Sequence, residues 1–152
     1  MKGLVGTLVV VGALGAIGTA SSAAPGLSFG PVRGYQAGRF PSAFAISDLN
    51  GDGRLDLAVA SPLDSTVSVL ANVGHGAFAR RRSYATGRVT SAVASGDLNG
   101  DRRPDVVTAN YGANTVSVLL NRTRGRFAAK RDIQAGRGPD AAESSEPLTI
   151  II

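Results

Sequence analysis

Short apolar or alternating runs recur along the chain, each closed by a cluster of Gly, Asn, Asp or Pro. Ala43 to Ser47, Leu55 to Ser61, Thr66 to Asn72 and Phe78 to Thr86 carry β-branched residues or alternate apolar with polar positions. That alternation is the period of a strand, whose side chains point to opposite faces of a sheet. No stretch sustains the 3.6-residue apolar periodicity of an amphipathic helix. The pattern predicts strands throughout, with turns at the punctuating clusters.

The pattern repeats every 49 residues. Phe29, Phe78 and Phe127 stand one period apart, as do Gly38, Gly87 and Gly136, and Arg39, Arg88 and Arg137. Residues 29–77 laid over 78–126 without a gap give 23 identities in 49 positions, too many for coincidence. A third copy begins with Gln134 to Pro139 and then diverges: Glu146 stands where an Asp is due, followed by Pro147 and the apolar Leu148 to Ile152. Four strands in 40 to 50 residues is the size of one β-propeller blade. The expected architecture is therefore all-β, with two complete four-stranded propeller-type blades (29–77 and 78–126), a partial third (127–141) and a divergent tail (142–152).

The first residues read as an address. Lys2 precedes an apolar stretch from Leu4 to Ile17 and then the small residues Gly18 to Ala24, the order of a secretory signal peptide. The run is shorter than a membrane span and interrupted by glycines. Residues 1–23 are expected to be removed, leaving a secreted protein, extracellular or periplasmic, with no membrane span. The glycines of Val9 to Gly18 are spaced G-x-x-G-x-x-G, which does not fit a dinucleotide-binding turn.

Composition narrows the chemistry. The 152 residues contain no cysteine and one histidine, which removes disulfides, thiol nucleophiles and Cys- or His-based transition-metal centres. No Ser has a plausible His partner, so the chain reads as no enzyme. The net charge is +5, from 16 basic and 11 acidic residues.

The acidic residues concentrate at one place in each copy. Asp48-Leu-Asn-Gly-Asp-Gly-Arg-Leu-Asp56 and Asp97-Leu-Asn-Gly-Asp-Arg-Arg-Pro-Asp105 set oxygen side chains at positions 1, 3, 5 and 9 between two strands. A loop wound at its Gly aims such oxygens at one point. Asp48, Asn50, Asp52, the Arg54 carbonyl and Asp56, with Asp97, Asn99, Asp101, the Arg103 carbonyl and Asp105, are the expected ligands, and an all-oxygen set suits Ca2+ better than Mg2+. The flanks are strands and position 12 is Val59 or Thr108, so the loop is not an EF-hand. The competing reading is a solvated turn in which Asx side chains bond the local backbone. Identical offsets in two copies and repulsion among three carboxylates favour the metal. Position 6 is Gly53 in one loop and Arg102 in the other, so the second loop is expected to bind more weakly if that position needs a positive φ.

Asp-Leu-Asn-Gly-Asp, followed by Asp-Leu-Ala-Val-Ala, Thr-Val-Ser-Val-Leu and Gly-x-Phe, resembles the FG-GAP/VCBS repeat of integrin-α-type β-propellers, over residues 26–141. The resemblance implies a calcium-bound hairpin loop in each blade, an extracellular setting, and use in adhesion or in binding a protein or carbohydrate ligand. Propellers need four to eight blades, so two imply missing blades, a homo-oligomer that completes a ring, or a truncated fragment of a larger secreted propeller-containing enzyme. Arg80, Arg81, Arg82, Arg122, Arg124, Arg126, Lys130 and Arg131 allow a third reading, a polyanion- or polysaccharide-binding protein. Aromatics for base stacking are scarce, so no specific nucleic acid is expected. Asn121-Arg-Thr123 is formally a glycosylation acceptor, and His75 reads as a turn residue.

Overall fold

The computed structural model describes Thr7–Val9 and residues 30–136. The remainder of the expected signal segment, residues 137–141 of the third copy and the 142–152 tail lie outside the described residues. β1 (Thr7–Val9) pairs antiparallel with β2 (Gly34–Gln36). The chain continues with β3 (Ala43–Ser47), β4 (Asp56–Ser61), β5 (Thr66–Leu70), β6 (Asn72–Gly74), β7 (Ala77–Phe78) and β8 (Arg82–Ala85). It then forms β9 (Thr90–Gly96), β10 (Asp105–Asn110), β11 (Thr115–Leu119), β12 (Asn121–Thr123), β13 (Arg126–Phe127) and β14 (Arg131–Gln134), with a 3-10 turn at Tyr111–Ala113.

Two antiparallel four-stranded sheets result, in the orders β3-β4-β5-β8 and β9-β10-β11-β14. The all-β expectation holds, but neither sheet is built from one copy: β8 belongs to residues 78–126 and β14 to the partial third copy, so each sheet takes its fourth strand from the repeat that follows. Two expected strands are cut short. The runs Thr66–Asn72 and Phe78–Thr86 do not continue across the sheet, because the chain leaves it after Leu70 and folds back as the β6–β7 hairpin. The cause is local to Asn72: its N–H donates to the carboxylate of Asp56 at 2.7 Å rather than to a neighbouring strand, which ends the ladder. Asn121 and Asp105 repeat this at 2.7 Å, and β12–β13 forms the matching hairpin.

The second strands, β4 and β10, are buried along their whole length, as expected of strands flanked on both sides and covered on both faces. One core lies between the sheets: Leu49, Ala58, Val67 and Val69 meet Val106 and Leu119, with Ala45, Tyr84, Val93 and Phe127 at its margin. Each fully buried Val or Leu there contributes roughly 1.5–3 kcal/mol. Ala37, Leu57, Val59 and Leu70 form a second core with Tyr35 and Phe78.

The 49-residue spacing now has a physical account. Tyr35 meets Phe78 edge-on at 5.3 Å and Tyr84 meets Phe127 at 5.2 Å, so each tyrosine reaches into the following copy. Their hydroxyls donate to the Gly76 and Gly125 carbonyls. The equivalent third position, Ile133, is exposed. The repeated glycine answers a close approach: a Cβ on Gly38 would sit 2.2 Å from Ser61 Oγ, and one on Gly87 would sit 2.6 Å from Asn110 Nδ2.

Candidate metal centre

Each carboxylate loop joins the first and second strands of its sheet, and the two loops fold alike. Asp48 Oδ1 accepts the N–H groups of Gly51 and Asp52 at 2.8 and 3.1 Å, and its Oδ2 accepts Gly53 N–H at 2.8 Å. In the second loop Asp97 takes the N–H groups of Asn99, Gly100, Asp101 and Arg102. Asn50 and Asn99 each accept the N–H of the Asp two residues on, at 2.9 Å. Wrapping the backbone this tightly forces positive φ at position 6, +80° at Gly53 and +63° at Arg102. The condition attached to the second loop is therefore met: Arg102 sits where a side chain is strained by about 1 kcal/mol.

The position-9 carboxylates are buried pins. Asp56 accepts Leu49 N–H at 3.1 Å as well as Asn72 N–H, and Asp105 accepts Leu98 N–H at 3.1 Å with Asn121 N–H. Each ties the start of its loop to the corner where the chain leaves the sheet. Burial pushes the Asp56 carboxyl above the ordinary 3.8, against the two N–H donors, and the charges of Asp52 and Asp48 push the same way.

The position-5 carboxylates have an internal counter-cation. Arg54 donates to Asp52 at 2.9 Å and, through Nε, to the Asn72 carbonyl at 3.1 Å. Arg103 does the same to Asp101 at 2.7 Å and to the Asn121 carbonyl at 3.3 Å. Asp52 is lowered by the Arg54 N–H, then by Asn50 and the Arg54 guanidinium. Asp97 is lowered by the Arg102 N–H first and by the other loop N–H groups. At Asp101 desolvation pushes upward, but the Arg103 N–H, Asn99 and the Arg103 guanidinium outweigh it. Sequence reasoning used Arg54 and Arg103 only for their carbonyls and missed these guanidinium contacts. The available signal was the identity of Arg54 and Arg103 between copies. Repulsion among the three carboxylates is thus relieved partly by the loop's own N–H groups and by this arginine, which the sequence argument for a metal left out.

All ten expected ligand residues fall on these two loops and their boundaries. Among the described residues, no three carboxylate or imidazole side chains converge closely enough to hold an ion by themselves, so a cation here would draw on Asn50 or Asn99 and on loop carbonyls as well. The donor chemistry fits the first loop better than the second: every candidate atom is a hard oxygen, but of about four lone-pair sites on an ionised carboxylate the N–H donors fill three at Asp48 and four at Asp97.

Asn121 is 2% exposed, and its Nδ2 donates to the carbonyls of Leu49 at 2.7 Å and Pro104 at 3.0 Å, so the formal glycosylation acceptor is closed in the folded chain. His75 is exposed on its turn at φ +52°. Of the basic residues, Lys130 pairs with Asp132, while Arg80, Arg82 and Arg124 line one cavity with the first loop.

Antiparallel sheets from tandem copies, each with an Asx-wrapped loop between its first two strands, define an all-β repeat protein. Residues 48–108, from the first loop to the strand after the second, match the family model of the FG-GAP-like repeat. Over that span the chain is similar to the FG-GAP-like repeat. No curated protein matches it significantly.

Proposed function

We propose that the protein is a secreted, calcium-stabilised FG-GAP repeat module whose sheets are β-propeller blades, serving adhesion or ligand binding and not catalysis. The observation that carries the calcium reading is the recurrence, in two copies, of one oxygen-rich loop with the same hydrogen bonds at the same offsets. Calcium's part would be structural. An ion held by the folded loop alone would relieve Asp56, where burial and two neighbouring carboxylates oppose ionisation. Thermal melts with calcium and with chelator, paired with calorimetric titration, test this; equal melts and no heat of binding at millimolar calcium would reject it.

Secretion rests on the order of residues 1–24. Cleavage near Ala23 removes β1 and uncovers the edge of β2. Amino-terminal sequencing of exported protein tests this, and a retained Thr7 rejects it.

Phe44 and Ile46, on the first strand of the first sheet, are 57% and 52% exposed, while Val93, which replaces Phe44 in the second copy, packs against the core between the sheets. This difference supports a reading in which further blades, from a second copy or another chain, cover the first sheet.

A further inference from the structure

Two parts of the chain that are not adjacent in sequence, the first carboxylate loop with its sheet and the β12–β13 hairpin, line a cavity of about 520 Å³. One wall is the first carboxylate loop, through Asn50, Gly51 and Asp52, with Asp56 behind it. The floor is apolar, from Val69, Ala71 and Ala79. Arg80 and Arg82 enter from the β7–β8 side of the first sheet, and Arg124 enters from the β12–β13 hairpin of the second. Among the described residues the ion pairs are Arg54–Asp52, Arg103–Asp101 and Lys130–Asp132, so none of the three cavity arginines has a carboxylate of its own.

The cavity departs from the repeat. Arg82 has counterparts at Arg33 and Arg131, but Arg80 stands where the copies before and after have Pro31 and Ala129, and Arg124 stands where the first copy has His75. The hairpin carrying Arg124 is held against the first loop, since a Cβ on Gly125 would lie 3.4 Å from Asn50 Cβ. Arg126 continues the basic strip in a neighbouring depression with Arg82, Tyr84 and Phe127. Three guanidinium groups without ion-pair partners among the described residues, beside apolar Val69, Ala71 and Ala79, suit an anionic group attached to an apolar-faced ring, and Asn50 and Asp52 suit hydroxyl groups.

We propose that this seam binds an anionic saccharide, a sugar bearing carboxylate or sulfate, with Arg80, Arg82 and Arg124 as its anion receptors. The inference rests on the ligand-binding reading above and gives it a site and a chemical class. Tyr84 and Phe127 face each other edge-on rather than presenting open rings, which disfavours stacked bases and sets single-stranded nucleic acid as the competing outcome.

The test is calorimetric titration of the full chain with oligogalacturonate, a heparin-derived oligosaccharide, a neutral dextran oligomer and single-stranded DNA, each with calcium and with chelator. The acidic saccharides should bind, the neutral one should not, and the better of the two anions identifies carboxylate or sulfate as the recognised group. Arg124→His places the first copy's residue in a turn that already has matching positive φ, +45° at Arg124 and +52° at His75, so the fold should survive. It should weaken binding at least about tenfold, the loss expected for one charge-assisted contact. Arg80→Ala should do the same, whereas Arg122→Ala, outside the cavity, should change binding less than about twofold. Undiminished binding by Arg124→His and Arg80→Ala, equal binding of neutral and acidic sugars, or tighter binding of DNA overturns the proposal. Saccharide binding that persists while melts show no calcium effect sinks the calcium reading and leaves this site standing.

Discussion

The side-chain amide of Asn121 donates to the carbonyl of Leu49 at 2.7 Å, joining the corner of the second sheet to the loop of the first across 72 residues. Asn72, its counterpart one repeat earlier, reaches only its own copy, at the Leu55 carbonyl. Asn121 Oδ1 is also the buried side-chain atom left without a partner among the described residues. The reason is one substitution: Asn72 Oδ1 accepts the N–H of Gly74, whose φ is +90°, and Thr123 replaces that glycine.

Asn121→Ala leaves the buried Leu49 carbonyl and the half-buried Pro104 carbonyl without this donor and should cost about 2 kcal/mol. Asn72→Ala, at a corner that water reaches, should cost about 1 kcal/mol. Urea denaturation of the two variants measures the difference, and an equal loss would show that the Leu49 tie adds nothing.

Calcium at 100 times its dissociation constant should stabilise the chain by about 2.7 kcal/mol, on the order of 10 °C in melting temperature. Asp52→Ala should reduce that shift more than Asp101→Ala, because the second loop already carries strain at Arg102. Calorimetric scans of both variants, with and without calcium, provide the ranking.

Arg102→Gly should relieve the positive φ and stabilise the chain by about 0.5 kcal/mol, with tighter calcium binding at the second loop. Gly53→Arg should move the first loop the other way by about 1 kcal/mol. Denaturation midpoints check both, and a destabilised Arg102→Gly variant would place the strain elsewhere.

Asp132 and Asp56 should give opposite slopes in acid. The Lys130 ammonium and the Ser117 hydroxyl hold Asp132 below 3.8, so its stabilising contribution is complete above that value and is lost as pH falls through the lower folded pKa. Asp56 is raised above 3.8, mainly by burial, so its ionisation opposes folding and its contribution improves as pH falls through the raised value. In chelator, carboxyl-carbon NMR titration should place Asp56 above 3.8 and Asp132 below it, and Asp132→Asn should flatten the acid limb of a stability–pH profile.

If a second copy covers the first sheet, the chain should self-associate with concentration and Ile46→Glu should abolish this while changing the stability of the dilute protein by no more than about 0.5 kcal/mol, since the side chain is mostly in water there. Sedimentation velocity over a concentration series reads this directly. Unchanged association would remove the first sheet's open face from any interface between copies.

The 49-residue period, the strand content and the two loops could be read from the residues in order because they depend on local spacing. Alternation sets which positions face a core, and Asp, Asn and Gly at short offsets set a wound turn. Even the need for positive φ at position 6 could be framed from Gly53 against Arg102. Long-range contacts decided the rest. Whether Thr66 to Asn72 runs on as one strand depended on where the Asn72 N–H finds its acceptor, and Asp56 supplies it from 16 residues away. The exposure of Asn121 depended on Leu49, and the meeting of Arg80 and Arg82 with Arg124 depended on how one sheet stacks on the next. Spacing along a chain fixes which side chains share a strand or a turn, whereas the partners of a buried polar group, and the arginines that share a cavity, are set only when separate sheets pack.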